Sequence, residues 1–284
     1  MKVRVCIYVN REWAIPYVKS LEHSLIKLGI TDHIDIPLPP YSSDSRYISF
    51  FIIGRKSVNI DQWEDKCKIL IQLEQLINCR VAGAYHVGNA FDLILEPFIA
   101  NTKLRGAGKR VEYCPIGYSP SWSRHVDKTE KDFDVLFWGQ MNSARKKIYN
   151  YLKDNGINAV FSNNLYDDRL YEHIARSKII VWFKHSNCID YAQLHCLPAQ
   201  AQKEFVMVES SLDYGLFLPN VDFIIFNNHI NCLTKIKYYL KNEQERIEFA
   251  DKAYEHLKTI PYAESLRGPL CNFLNHITDQ KKSL

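Results

Sequence analysis

No CxxC pair occurs among the eight cysteines of this 284-residue chain, which stand scattered at 6, 67, 79, 114, 188, 196, 232 and 271. That scatter argues against a zinc site. Thiols set among apolar neighbours behave as small hydrophobes, so a reducing, cytoplasmic setting is expected. Three other signatures are missing. Without a GxxxxGK[ST] loop a P-loop nucleotide hydrolase is disfavoured, and without GxGxxG after the first strand so is a dinucleotide dehydrogenase. There is no GxSxG elbow of the α/β-hydrolase kind. Long apolar runs are lacking too: Ile179–Phe183 is among the longest, far below the roughly 18 residues a membrane span needs. Met1–Val9 begins like a signal peptide but turns polar at Asn10-Arg11-Glu12, so it reads as a first buried strand of a soluble protein. No solenoid repeat and no low-complexity tract is present. Charge of one sign is in small excess: a formal +4 and a pI near 8.5 permit an anionic substrate without establishing one.

What the chain does have is apolar and aromatic content. A hydrophobic share of 46%, with 17 Tyr, 14 Phe and 5 Trp, suits a folded protein long enough for two domains. From Asp132 to about Tyr262 short apolar strands alternate with helical segments. The strands are Phe133–Trp138, Ala159–Phe161, Ile179–Phe183 and Phe205–Val208. Strands apolar on both faces, separated by helices, predict a parallel sheet covered on both sides. Ligands of such sheets sit at the carboxyl ends of strands, beside helix N-termini that attract phosphate.

The first half reads as alternating α/β as well. Strand Val3–Val9 precedes an amphipathic helix from Ala14 to Lys27, ended by Gly29. Further strands are expected at Ile34–Ile36, Ile48–Ile53, Lys68–Leu73, Phe91–Leu95 and Val111–Cys114. Pro115 to Lys131, with two prolines, Gly117 and a charged cluster, is the expected linker. Three helical segments close the chain, at Ile230–Leu240, Glu243–Lys258 and Ala263–Ile277. The domains are expected at 1–118 and 132–262, with 263–284 a helix returning toward the first. The fold class is α/β: two Rossmann-like domains facing a cleft, a geometry suited to a two-substrate transferase.

Several residues could carry chemistry. Gly139 lets the backbone approach a ligand, and Arg145, near a helix start, is a bidentate donor for a diphosphate. The plainer alternative is a strand–turn–helix with a basic solvated face. His185 lies at a strand end and His195 on the next helix, positions ordinary polar residues also fill. Glu209, after strand Phe205–Val208, is placed to accept ribose hydroxyls or to serve as a surface acid. Glu74 and Glu96 end first-half strands and are candidates for a general base, with His86 a third. Asp132-Phe133-Asp134 is a DxD pair, but it opens its strand, so it should lie at the end opposite the ligand, and no metal dependence is expected.

These residues resemble a family. Phe133–Gly139, then Arg145-Lys146-Lys147-Ile148 and Tyr151–Gly156, look like the donor-domain opening of the "glycosyl transferases group 1" family with the GT-B fold. The downstream order, through Tyr171 and Ala175, Gln193-Leu194-His195, Phe205–Glu209 and Ala250–Tyr254, is similar too. A more remote likeness is to the bacteriophage DNA β-glucosyltransferases. The resemblance implies a metal-independent glycosyltransferase without a cofactor, taking a nucleotide sugar such as a UDP-sugar. Its acceptor would be a glycan or modified phage DNA, and its setting the cytoplasm of a bacterium or of a virus-infected cell. By position, Gly139, Arg145, His185, His195 and Glu209 would bind the donor, and Glu74 would be the catalytic base of an inverting reaction. Two departures stand out. His195 and Pro198 replace an arginine and a glutamate of the family's donor helix, and Gln202-Lys203 replaces a small-residue–glycine turn. They keep open the alternative of a catalytically silent GT-B module that binds a glycan or a protein partner.

Overall fold

A computed structural model describes residues 4–9, 14–36, 47–53, 67–73, 75, 91–104, 110–124, 126, 130–163, 165–185, 190, 191 and 193–282. The chain divides into two compact units, Met1–Ser119 together with Pro261–Leu284, and Pro120–Ile260. Each is built on a sheet whose described strand pairs are all parallel.

The first unit carries β1 (Arg4–Val9), α1 (Ile15–Lys27), β2 (Ile34–Asp35), β3 (Tyr47–Ile53), β4 (Cys67–Gln72), β5 (Leu93–Glu96), α2 (Ile99–Leu104) and β6 (Val111–Tyr113). The strand order is β2-β1-β3-β4-β5-β6. Ile7, Phe50, Ile69, Leu70 and Leu93 are fully buried, as strands covered on both faces require. The chain's last helix, Tyr262–Lys282, belongs to this unit and packs on α1. Its buried Tyr262 hydroxyl meets that of Tyr17, and the Tyr262 N–H donates to the Tyr118 carbonyl at 2.8 Å.

The passage into the second unit is less solvated than a linker composition suggests, since Ile116, Ser119 and Trp122 are buried. There follow β7 (Phe133–Trp138), α3 (Ser143–Asp154), β8 (Ala159–Ser162), α4 (Asp167–Ala175), β9 (Ser177–Trp182), α5 (Gln193–Gln200) and β10 (Val206–Glu209). After them come β11 (Ile224–Phe226), α6 (His229–Lys241) and α7 (Glu243–Lys258); the Tyr262–Lys282 helix is thus α8. The order β11-β10-β9-β7-β8 is that of a doubly wound sheet. Leu136 sits opposite Val160 on one side and Ile180 on the other.

On one face Val135, Phe137, Ile179, Val181, Phe205 and Met207 form a core with Leu152, Leu233, Ile236 and Ala250 of the covering helices. Leu136, Ile180, Trp182, Val206 and Val208 alternate with them and are also buried. Burial on both faces is why these strands read as continuous apolar runs rather than as alternation. β11 is the strand that sequence patterning leaves unseen; three residues are too few to show a period.

Candidate functional site

In the second unit β7 is flanked by β8 and β9. The connection leaving β7 runs to β8 and the one leaving β9 runs the other way, to β10, so the two depart in opposite directions and a crevice opens at the carboxyl ends of β7 and β9. Gly139 comes directly after β7, and its N–H donates to the Ser162 carbonyl at 3.0 Å. Its φ of +119° is one that side-chain-bearing residues rarely adopt. A Cβ built there would stand 3.7 Å from Arg145 Nη1 and 3.8 Å from His195 Cε1. Three residues far apart in sequence thus share one small volume.

Arg145 arrives by local helix chemistry. Asn142 caps α3, its side-chain oxygen accepting the Arg145 N–H at 2.9 Å, which satisfies an orphan donor of the first turn. The side chain is only 4% exposed, so it does not belong to a solvated basic face as Lys146 and Lys147 do. Its Nη1 donates to the Gln140 carbonyl at 2.7 Å and its Nη2 to the Phe183 carbonyl. The guanidinium lies 4.9 Å above the centre of the Phe137 ring, an arrangement that favours a desolvated cation.

His195 lies in the first turn of α5, half-buried, with its ring 6.5 Å from that of Trp138. Desolvation, the Arg145 charge and His185 together push its pKa down to about 4, so it is neutral at pH 7. His185, also half-buried, comes three residues past β9. α5 is held in place around it. Tyr191, just ahead of the helix, packs 4.6 Å from Phe223 and 5.2 Å from Phe217. Gln200 at the helix end donates to the Asp222 carbonyl at 2.9 Å. Lys203, where the resembling family has glycine, takes φ +61°, so the tight turn survives with a residue that disfavours it.

Glu209 is the last residue of β10, and its Oε2 accepts the Lys184 N–H at 2.8 Å. It ties the segment leading to His185 onto the neighbouring strand. Gly139, Arg145, His185 and His195 therefore gather at one place, with Glu209 one strand away. Glu74 and His86 lie outside the described residues. Glu96 is fully buried, with Asn101 Nδ2 donating to it at 2.8 Å; it is not a solvated acid. Asp132 and Asp134 meet Arg176 and Lys178, at the start of β7 and β9, the end opposite Gly139. Sequence reasoning missed Phe137 beneath Arg145, Trp138 beside His195, and the cap Asn142. Only the last had a local signal, an asparagine just before a helical pattern.

Two α/β units, each built on a parallel sheet, are the architecture of the GT-B fold. Residues 121–262, half of the chain, match the family described as glycosyl transferase-like. The chain belongs to that family, whose general activity is sugar transfer. No curated protein matches the sequence. Among solved structures, sucrose-phosphate synthase from Thermosynechococcus elongatus is similar over 98% of this chain and 100% of its own, at 9% identity and a TM-score of 0.59. An alpha-glucosyltransferase in complex with UDP and a 13-mer DNA is similar over 98% and 100%, at 12% identity and TM-score 0.58. The beta-glucosyltransferase of T4 phage is similar over 95% and 99%, at 12% identity and TM-score 0.54. At these identities the likeness is one of fold. Among the described residues no helix is long and apolar enough to cross a membrane.

Proposed function

We propose that the protein transfers a sugar from a nucleoside-diphosphate donor to an acceptor hydroxyl, with the diphosphate seated over Gly139. The observation that carries this is the buried Arg145 cation at the β7–β9 crevice, 3.7 Å from where a Gly139 side chain would begin. A desolvated cation beside a side-chain-free backbone favours the negative charge that grows on a departing diphosphate. The N-termini of α3 and α5 act in the same sense. With charge supplied by Arg145 and the two helix N-termini, and hydrogen bonds by the histidines, the reaction runs without a metal ion. His185 and His195 bond the phosphate oxygens, and Glu209 accepts from the donor's ribose or steadies the His185 segment.

UDP is the diphosphate we favour, supported by the similar alpha-glucosyltransferase in complex with UDP and DNA. Glu74, which follows β4 by two residues in sequence, is the acceptor-side base of an inverting reaction. The acceptor is a glycan, with hydroxylated bases of duplex DNA the specific alternative. The free thiols of Cys6, Cys67, Cys114, Cys196 and Cys232, all buried, support a cytoplasmic setting.

Thermal shift against a panel of nucleotides and nucleotide sugars tests the reading. A diphosphate at a hundredfold excess over its Kd stabilises the protein by about 2.7 kcal/mol, with slow release of nucleotide from the cognate sugar and no loss of either signal in chelator. No shift with any nucleoside diphosphate would sink the proposal. His195 and Pro198 on α5 favour the second reading, a silent binding module; tight UDP binding without nucleotide release in the presence of glycans or hydroxylated DNA selects it.

A further inference from the structure

Resting on the donor reading above, we propose that Arg145 is a positioning residue: it ties the turn after β7 to the end of β9, and the diphosphate is touched by His185 and His195. Both terminal nitrogens of its guanidinium donate to main-chain carbonyls, Nη1 to Gln140 at 2.7 Å and Nη2 to Phe183. Those carbonyls belong to the two segments that flank the crevice. The planar fork is what allows one side chain to hold both at once, which a lysine ammonium on a flexible stem does far less well. To turn outward onto a phosphate, Arg145 would give up its buried bond to the Phe183 carbonyl, its part-buried bond to the Gln140 carbonyl and the Phe137 ring beneath it, and a buried polar group so stranded is costly.

The layering agrees. Arg145 is 4% exposed, whereas His185 and His195 are half-buried, so the two rings are the more accessible to a ligand arriving at the crevice. Gly139 is the shared floor, with Arg145 Nη1 and His195 Cε1 at 3.7 and 3.8 Å from its would-be Cβ. Among the described residues the charged or titratable groups that face His195 are Arg145 from α3 and His185 from the segment after β9. The guanidinium therefore acts on the ligand through its neighbours in two ways. It fixes where they sit, and its charge adds to burial in holding the His195 ring neutral until an anion arrives to offset that charge.

Two variants of the full chain separate this from direct contact. Amide hydrogen exchange without ligand is read at Met141 and Lys184, whose N–H groups bond Asn163 Oδ1 and Glu209 Oε2. In both Arg145→Lys and Arg145→Gln these amides are expected to exchange about tenfold faster or more, with the core strands unchanged. A direct phosphate ligand would leave them as in the wild type. UDP and inorganic pyrophosphate are then titrated across pH. Binding tightens in acid as His195 takes up a proton. That window is expected to move upward in Arg145→Gln and to stay in place in Arg145→Lys, a response that a merely structural tie would not give.

Wild-type exchange at Met141 and Lys184, together with a loss of UDP affinity at an unmoved pH window, overturns the proposal. If Arg145→Gln does not fold, Arg145→Lys alone decides the exchange comparison. A wild-type protein indifferent to both UDP and pyrophosphate overturns the donor reading instead, and the ligand-free exchange result still judges the tie.

Discussion

Replacing Gly139 with alanine tests the placement of the ligand more sharply than removing any charged side chain. The new methyl would lie 3.7 Å from Arg145 Nη1 and 3.8 Å from His195 Cε1, ordinary contact distances, so no clash is created. The cost is conformational, because φ is +119° and backbone states of that kind cost about 2 kcal/mol for a residue with a side chain. For a domain of this size that is a fall in Tm of roughly 4–8 °C. The methyl also fills the approach over which a phosphate oxygen would come, and about a tenfold loss of UDP affinity, near 1.4 kcal/mol, is expected.

Gly156, just past α3, supplies the control. It too has a positive φ, +80°, but nothing lies within 4 Å of its would-be Cβ. Gly156→Ala should lower Tm by a few degrees, from about 1 kcal/mol of left-handed strain, and leave UDP binding alone. Calorimetric Tm and isothermal titration with UDP on both variants complete the comparison. Equal UDP affinity in the two, each with its Tm loss, would refute the seat over Gly139.

Two other expectations concern the far end of the same unit. Burial outweighs the Lys131 ammonium 2.6 Å away and pushes the Glu204 carboxyl up to about 7. With its folded pKa above the ordinary value, Glu204 leaves stability complete in acid and takes it away as pH rises through about 7. Tm followed from pH 5 to 9 should therefore fall less in Glu204→Gln, the wild-type loss from this group being about 3 kcal/mol; parallel curves would refute it. Asp132 joins Arg176 on an exposed surface, where solvent screens the pair. Asp132→Asn should leave Tm, UDP affinity and any response to added divalent ions unchanged; a lost metal response would place the ligand at the other end of the sheet.

The sequence by itself determined the layers. Strands such as Phe133–Trp138 are apolar throughout because a parallel sheet is buried on both faces, so their place is readable without partners. Helices such as α7 (Glu243–Lys258) and the capped α3 could be read for the same local reason: spacing and caps act within a few residues. Gly139 and Arg145 could be singled out because a strand–glycine–helix junction is local too. What only the tertiary structure decided is what those residues meet. Nothing in the order of residues says that Arg145 turns inward onto Phe183, 38 positions on, or that His195 shares the Gly139 floor. Those contacts arise where strand order brings β7 beside β9, and strand order is set by how buried faces and crossovers pack together rather than by any one segment's preference.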